Sequence, residues 1–413
     1  MSTPALLPLV LLLALPAGAA GSPSAVQAPA AVPAEGFEAL SQRARAARDA
    51  GRNDEAIAAY RQAVELRPDW DEGLWYLGVL QYETGRCVEA DSAFERFLGL
   101  KPEAGPGWTM RGVCAFDRGD FPDAIEWLHR GIGLGLGANA ELQRVARIRL
   151  AQALVKSGQF ELAIGPLTQL AQLSPIPPGL VDTTGLALLR LDLLPSEVPE
   201  GRRDLMQKLG RAGVAHLGQR GVEAAGLYAE AVSAYPDVPG VRYAYGVFLL
   251  RSGNDKGLSE LRRAAELRPD DAMAPLQIAF ELLVRGDFAG ARDSALKAVE
   301  LAPGLFAARN ALGRALVETG DVAAGIRELE VAVRLAPDSG RDQDVFIALD
   351  RRKKAAQTDA ERLTVTLRAM EVASVAVRDV EAAHQYLDQA VALSFSRKSL
   401  DEARMGEVEA ATR

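Results

Sequence analysis

The sequence predicts an all-α fold of tandem helix–turn–helix units stacked as a solenoid, and three observations predict it. Prolines recur at a fixed step: Pro68 and Pro102 lie 34 residues apart, as do Pro269, Pro303 and Pro337 in succession. Glycines keep the same step at Gly51, Gly85 and Gly119, and again at Gly286 and Gly320. The segments between them are alike, as EAIAAYRQAVELRPD (55–69), EADSAFERFLGLKPE (89–103) and ARDSALKAVELAPG (291–304) show. A period of this length marks a repeat array. Abundant alanine and leucine, with only 6% aromatic residues, make the unit helical.

Composition sets the outer bounds. A chain of 413 residues is long enough for two or three globular domains or for one long array. Its 48% apolar and 25% charged residues are ordinary for a soluble folded protein. A net charge of -8 disfavours nucleic acid and anionic lipid as the main partner.

Taken in order, residues 1–20 read as an export signal. An apolar run from Leu6 to Leu15 is followed by small residues, and Ala17-Gly18-Ala19 fits a cleavage site. The run is short for a membrane-spanning helix, so none is expected in the mature chain, and a periplasmic or secreted location follows. No Lys or Arg precedes the run and Pro8 interrupts it, so an unprocessed apolar tail is the alternative. Residues 21–36 are a Pro/Ala-rich linker.

From residue 37 the chain resembles the tetratricopeptide repeat, a helix–turn–helix unit with the pattern W-x2-L-G-x2-Y…A-x3-F…P. Leu77-Gly78, Tyr245-Gly246 and Leu312-Gly313 place a large residue and then a small one where two helices approach closely. Ala56, Ala90, Ala124, Ala163, Ala224 and Ala291 do the same on the second helix. Tyr60, Phe94, Leu128, Leu167, Tyr228 and Leu329 fill the space between the helices. The register gives units at 37–70, 71–104, 105–138 and 144–177, an N-terminal array over 37–177. Residues 178–204 break it with one helix and a Pro-rich loop. A C-terminal array over 205–339 holds units at 205–238, 239–271, 272–305 and 306–339. Residues 340–363 form a charged helical insert whose RRKK cluster (351–354) is a solvated face or a contact for an acidic partner. Residues 364–397 are a degenerate helix pair, and 398–413 a capping helix with Ser399 as its N-cap. The resemblance implies a right-handed superhelical solenoid.

It also implies a concave groove lined by the second, fifth, ninth and twelfth residues of each unit. In the second unit these include Trp75, Val79 and Tyr82, beside a core stripe of Leu74, Leu77 and Gly78. The third unit offers Val113 and Phe116, and the fourth Val145, Ile148 and Val155. The sixth offers Tyr243, Val247 and Leu250, and the seventh Met273, Leu276, Phe280 and Leu283. Polar residues flank this lining: Glu38, Ser41, Arg45 and Arg48 in the first unit, Asn310 and Arg314 in the eighth. Two readings stand. The lining holds an extended or helical apolar segment of a partner protein. Alternatively, tight curvature or residues 178–204 folded across the groove bury it internally. Trp75, Val79 and Thr109 stand where the family's carboxylate-clamping side chains would be, so that activity is not implied.

No catalytic constellation emerges, and no metal or cofactor is expected. The three histidines, His129, His216 and His384, lack ligand spacing, although His216 falls on a groove position. GIGLGLGA (131–138) has G-x-G-x-x-A spacing but follows a second repeat helix rather than a strand, so its glycines end that helix. Cys87 and Cys114 lie on helices that pack antiparallel. They read as two free thiols or, if the chain is exported, as a disulfide closing a loop of about 27 residues. The expected function is a non-catalytic interaction scaffold in the cell envelope. The alternative is a self-associating organiser whose lining is buried in a homo-oligomer.

Overall fold

The computed structural model describes residues 36–336, 342–377 and 379–395, and every regular element among them is a helix. Contacts divide the chain into two compact units, meeting between Ala231 and Val232. The first unit opens with four helix pairs: α1 (Phe37–Asp49) with α2 (Asn53–Leu66), α3 (Asp71–Glu83) with α4 (Cys87–Leu100), α5 (Gly105–Arg118) with α6 (Phe121–Leu134), and α7 (Ala140–Lys156) with α8 (Phe160–Ala171). It continues with α9 (Leu180–Leu189), a 3-10 turn at Pro195–Glu197, α10 (Glu200–Leu217) and α11 (Gly221–Ala234), whose last turn crosses the division. The second unit pairs α12 (Pro239–Arg251) with α13 (Lys256–Leu267), α14 (Met273–Arg285) with α15 (Phe288–Leu301), and α16 (Phe306–Glu318) with α17 (Val322–Leu335). It ends with α18 (Asp342–Ala355), α19 (Asp359–Glu371), a π-helical turn at Val372–Val377 and α20 (Val380–Phe395).

Local chemistry sets these limits. Asp120, Asp287 and Asp321 precede α6, α15 and α17, and each side chain accepts a backbone N–H of the first turn. Between the helices of a pair the chain turns through the left-handed region at the periodic glycines, with φ of 69° at Gly51, 77° at Gly85 and 78° at Gly286. Within a pair the small-against-large arrangement is realised. A Cβ on Gly78 would lie 2.7 Å from the ring of Phe94, and one on Gly313 would lie 2.6 Å from Leu329. The two helices therefore close onto one large side chain, and Tyr60, Phe94, Leu128 and Leu167 are fully buried.

Within each unit, each pair then packs on the next. The second helix of one pair meets the first helix of the following pair, as α4 meets α5 and α15 meets α16. Successive first helices also touch, α5 with α7 and α12 with α14 with α16, so each unit carries a wall of first helices.

Two segments outside the expected repeat join this stack. Residues 178–204 do give one helix and a turn, but α9 packs on α8 and α10 and touches α7, the position of another first helix. Its backbone runs close to α10, with Gly185 against the carbonyl of Met206 and Gly210 against that of Val181. The charged stretch 340–363 carries α18, which packs on α17 and touches α16 in the same manner. The expected signal (1–20), nearly all of the linker and the capping helix with Ser399 lie outside the described residues.

Candidate functional site

The wall of first helices is where sequence placed the binding surface, and the structure divides its residues into two classes. Trp75, Val79, Val113, Phe116, Val155, Leu276 and Leu283 are buried. Trp75 packs against Phe94 and Phe97 of α4, with ring centroids 5.5 and 5.4 Å away. Phe116 meets Phe121 edge-on at 5.6 Å. The first helix α5 has α4, α6 and α7 around it, so its apolar arc is wider than one stripe requires. Tyr82, Ile148, Tyr243, Val247, Leu250 and Phe280 are only half-buried and keep surface toward solvent. The expected polar flanks are also partly inside. Ser41 and Asn310 are buried, and the Asn310 amide donates to Asp344 at 2.9 Å.

In the first unit the wall carries a polar ladder that sequence reasoning missed. The Tyr82 hydroxyl on α3 donates to Asp117 at the end of α5. Arg149 of α7 reaches the same carboxylate at 3.5 Å while its guanidinium lies 4.5 Å over the Phe116 ring. Arg149 also donates to Gln152 at 3.2 Å, and Gln152 lies 3.5 Å from the Thr183 hydroxyl of α9. Four successive first helices are thus tied by side chains. The only trace of this in the sequence is an Asp, an Arg and a Gln beside groove positions. Burial raises the Asp117 carboxyl above its ordinary range, and Arg149 and Tyr82 only partly oppose it. The Tyr82 phenol is pushed up too, by burial first and then by the Asp117 charge.

A raised folded value means that, just above the ordinary carboxyl pKa of about 3.9, the native chain holds more proton than the unfolded one. Stability contributed here falls as pH rises through that window. Asp117→Asn should flatten this decline, read as the urea midpoint of variant against wild type from about pH 4 upward. An unchanged pH slope would assign the window to other groups.

In the second unit the wall is apolar. Tyr243, Val247 and Leu250 of α12 and Met273 and Phe280 of α14 are half-buried against a core of Leu276, Ala279, Leu283 and Leu312.

The remaining candidates take ordinary roles. His216 lies 3.4 Å from the Tyr228 hydroxyl. Gly135 and Gly137 adopt positive φ directly after α6 ends, as expected of a helix terminator. In the basic cluster, Arg351 pairs with Glu318 and Lys354 with Asp350, both at 2.6 Å, and Lys353 donates to Gln389 at 2.8 Å. Among the described residues, no group of three or more His, Cys, Asp or Glu is placed to hold a metal ion. Cys87 and Cys114 are free thiols and touch each other.

Comparison with known proteins finds repeats of a known family along parts of the chain. A TPR-repeat model matches residues 44–85, and a tetratricopeptide-repeat model matches 89–140 and 276–340. No curated protein matches the chain. Among solved structures it is similar to the APC/C hetero-tetramer Cut9-Hcn1, at 12% identity and a TM-score of 0.36, covering 91% of this chain and 96% of that one. Yeast Tom70 is 15% identical with a TM-score of 0.30, covering 91% and 95%. YrrB, a tetratricopeptide-repeat protein with an unusual peptide-binding site, is 17% identical with a TM-score of 0.29, covering 53% and 97%. Helix pairs packed through Gly78 on Phe94 and Gly313 on Leu329 lie inside the matched stretches, so residues 44–85, 89–140 and 276–340 carry tetratricopeptide repeats.

Proposed function

We propose that this protein is a non-catalytic interaction scaffold that holds an apolar helical or extended segment of a partner protein on the first helices of its second unit. The observation that carries the reading is the half-burial of Tyr243, Val247, Leu250, Met273 and Phe280 on the adjacent helices α12 and α14. Fully buried side chains of the same wall, such as Leu276 and Leu283, present no area to a partner. The half-buried ones leave apolar surface in water, and covering contiguous apolar surface is the main driving force for association. Tyr243 and Phe280 are the natural anchors, because aromatic side chains dominate binding energy at protein interfaces. The proposal includes export to the cell envelope, which rests on the apolar run and small-residue site of residues 1–20.

The test is a quantitative pull-down comparing wild type with Tyr243→Glu/Phe280→Glu and with Val222→Glu/Leu162→Glu. Val222 of α11 and Leu162 of α8 are 93% and 61% exposed on second helices and serve as a control for added charge. Circular dichroism on all three checks folding. The wall variant should lose its specific partners by at least about tenfold while keeping its helicity, and the control should retain them. Equal retention by both variants would remove the wall from the account. If the wall is covered by a second copy of the chain instead, light scattering will show an oligomer that the wall variant dissolves.

A further inference from the structure

The polar end of α3–α5 brings together the chain's two cysteines, and neither the fold nor the proposed binding surface uses them. Cys87 is the first residue of α4, and Cys114 lies in the middle of α5. The helices pack on each other, and the Cys114 thiol donates a hydrogen bond to the Cys87 sulfur. The two sulfurs differ in access: Cys114 is fully buried, whereas Cys87 is half-buried and open to reagents. Arg118 stands beside the pair. It donates to the Cys87 carbonyl at 3.5 Å and is itself held by Asp91 at 3.3 Å. The Tyr82 phenol lies close to both sulfurs.

These features separate two chemical roles. The Cys114 hydrogen bond holds the Cys87 thiol below its ordinary range. The Arg118 charge adds to this, against burial and the carboxylates of Asp117 and Glu89. The same contact together with burial holds Cys114 above its ordinary range. The accessible sulfur is the one that deprotonates first, and the second sulfur is already in contact with it.

We propose that Cys87 and Cys114 are a thiol–disulfide exchange pair, in which Cys87 attacks a disulfide presented from solution and Cys114 completes a bridge between α4 and α5. In the first step the Cys87 thiolate bonds to one sulfur of the incoming disulfide, and the other sulfur leaves as a thiolate. In the second, Cys114 gives up its proton to solvent and attacks the Cys87 sulfur, releasing the second thiolate. Two protein thiols are oxidised and one external disulfide is reduced to two thiols. The bridge joins the second helix pair to the third, next to the Tyr82–Asp117 contact that starts the polar ladder.

The experiment uses the full chain, folded, with oxidised glutathione as the disulfide. Remaining thiols are blocked with a maleimide after unfolding, and intact mass and linked peptides are read. Wild type should finish as a monomer with no labelled thiol, no glutathione adduct and a Cys87–Cys114 peptide. Its thermal midpoint should rise by roughly 5–10 °C and return on adding dithiothreitol. Cys114→Ala should accumulate one glutathione on Cys87, whereas Cys87→Ser should take up none, because Cys114 is out of reach. Wild type that keeps two labelled thiols, stops at one glutathione adduct or forms intermolecular dimers would overturn the proposal. The wild-type labelling alone decides if a variant fails to fold.

Discussion

Phe94→Ala should destabilise the first unit by about 3–5 kcal/mol, the cost of removing a large aromatic from a core that cannot collapse around the gap. Phe94 is fully buried between the bare backbone at Gly78 and the ring of Trp75. A glycine has no side chain to move into the space left by the ring. The neighbouring helices are fixed by their own contacts, so the cavity persists. In a repeat array the stability of one pair is shared with its neighbours, so the whole transition of the first unit should shift rather than one helix fray. Denaturant unfolding followed by tryptophan fluorescence measures it, since Trp75 lies on Phe94 and reports the same junction. Phe97→Ala is the comparison. That ring is half-buried, and its removal should cost clearly less.

The second large effect belongs to an ion pair. Glu330 of α17 is 2% exposed, and both its oxygens are engaged by Arg368 of α19, with Nε to Oε1 at 2.8 Å and Nη2 on Oε2. Arg368→Met leaves a buried carboxylate with no counter-charge, and breaking such a pair from one side costs about 3–5 kcal/mol. Replacing both partners with leucine removes the charge as well as its partner, so the double variant should lie within about 1–2 kcal/mol of wild type. Thermal unfolding of the single and double variants separates the two cases. If both are equally destabilised, the packing of α19 on α17 matters more than the charge pair.

Most of the helix-pair architecture was legible in the sequence, because the residues that specify it act over short distances. The step of 34 between Gly51, Gly85 and Gly119 is the spacing of the left-handed turns. The Gly78–Phe94 contact was written as a small residue and a large one in successive helices. What escaped was anything decided between units of the repeat. The second stripe of α3 read as surface, yet Trp75 and Val79 are buried, Trp75 against the Phe94 and Phe97 rings of α4. Residues 180–189 and 342–355 read as interruptions because they lack the repeat pattern, but their apolar faces still join the stack. The ladder from Tyr82 through Asp117 and Arg149 to Gln152 joins residues far apart in sequence, and no local pattern announces it. For the same reason, among the lining residues sequence could not separate Leu276 and Leu283 in the core from Tyr243 and Phe280 at its margin.

The central claim is that the α12–α14 wall touches a partner, and photo-cross-linking tests it most directly. A photoreactive phenylalanine analogue is placed at position 280 on the wall or at position 296 on the second helix α15, where Leu296 is 46% exposed. Irradiation in the native host fraction, followed by mass spectrometry of the adducts, reads contact without disturbing the fold elsewhere. The account predicts a discrete protein adduct from position 280 and little or none from 296, with the 280 adduct lost when Tyr243→Glu is added. An adduct from 296 and none from 280 would contradict it and move the binding surface off the first helices.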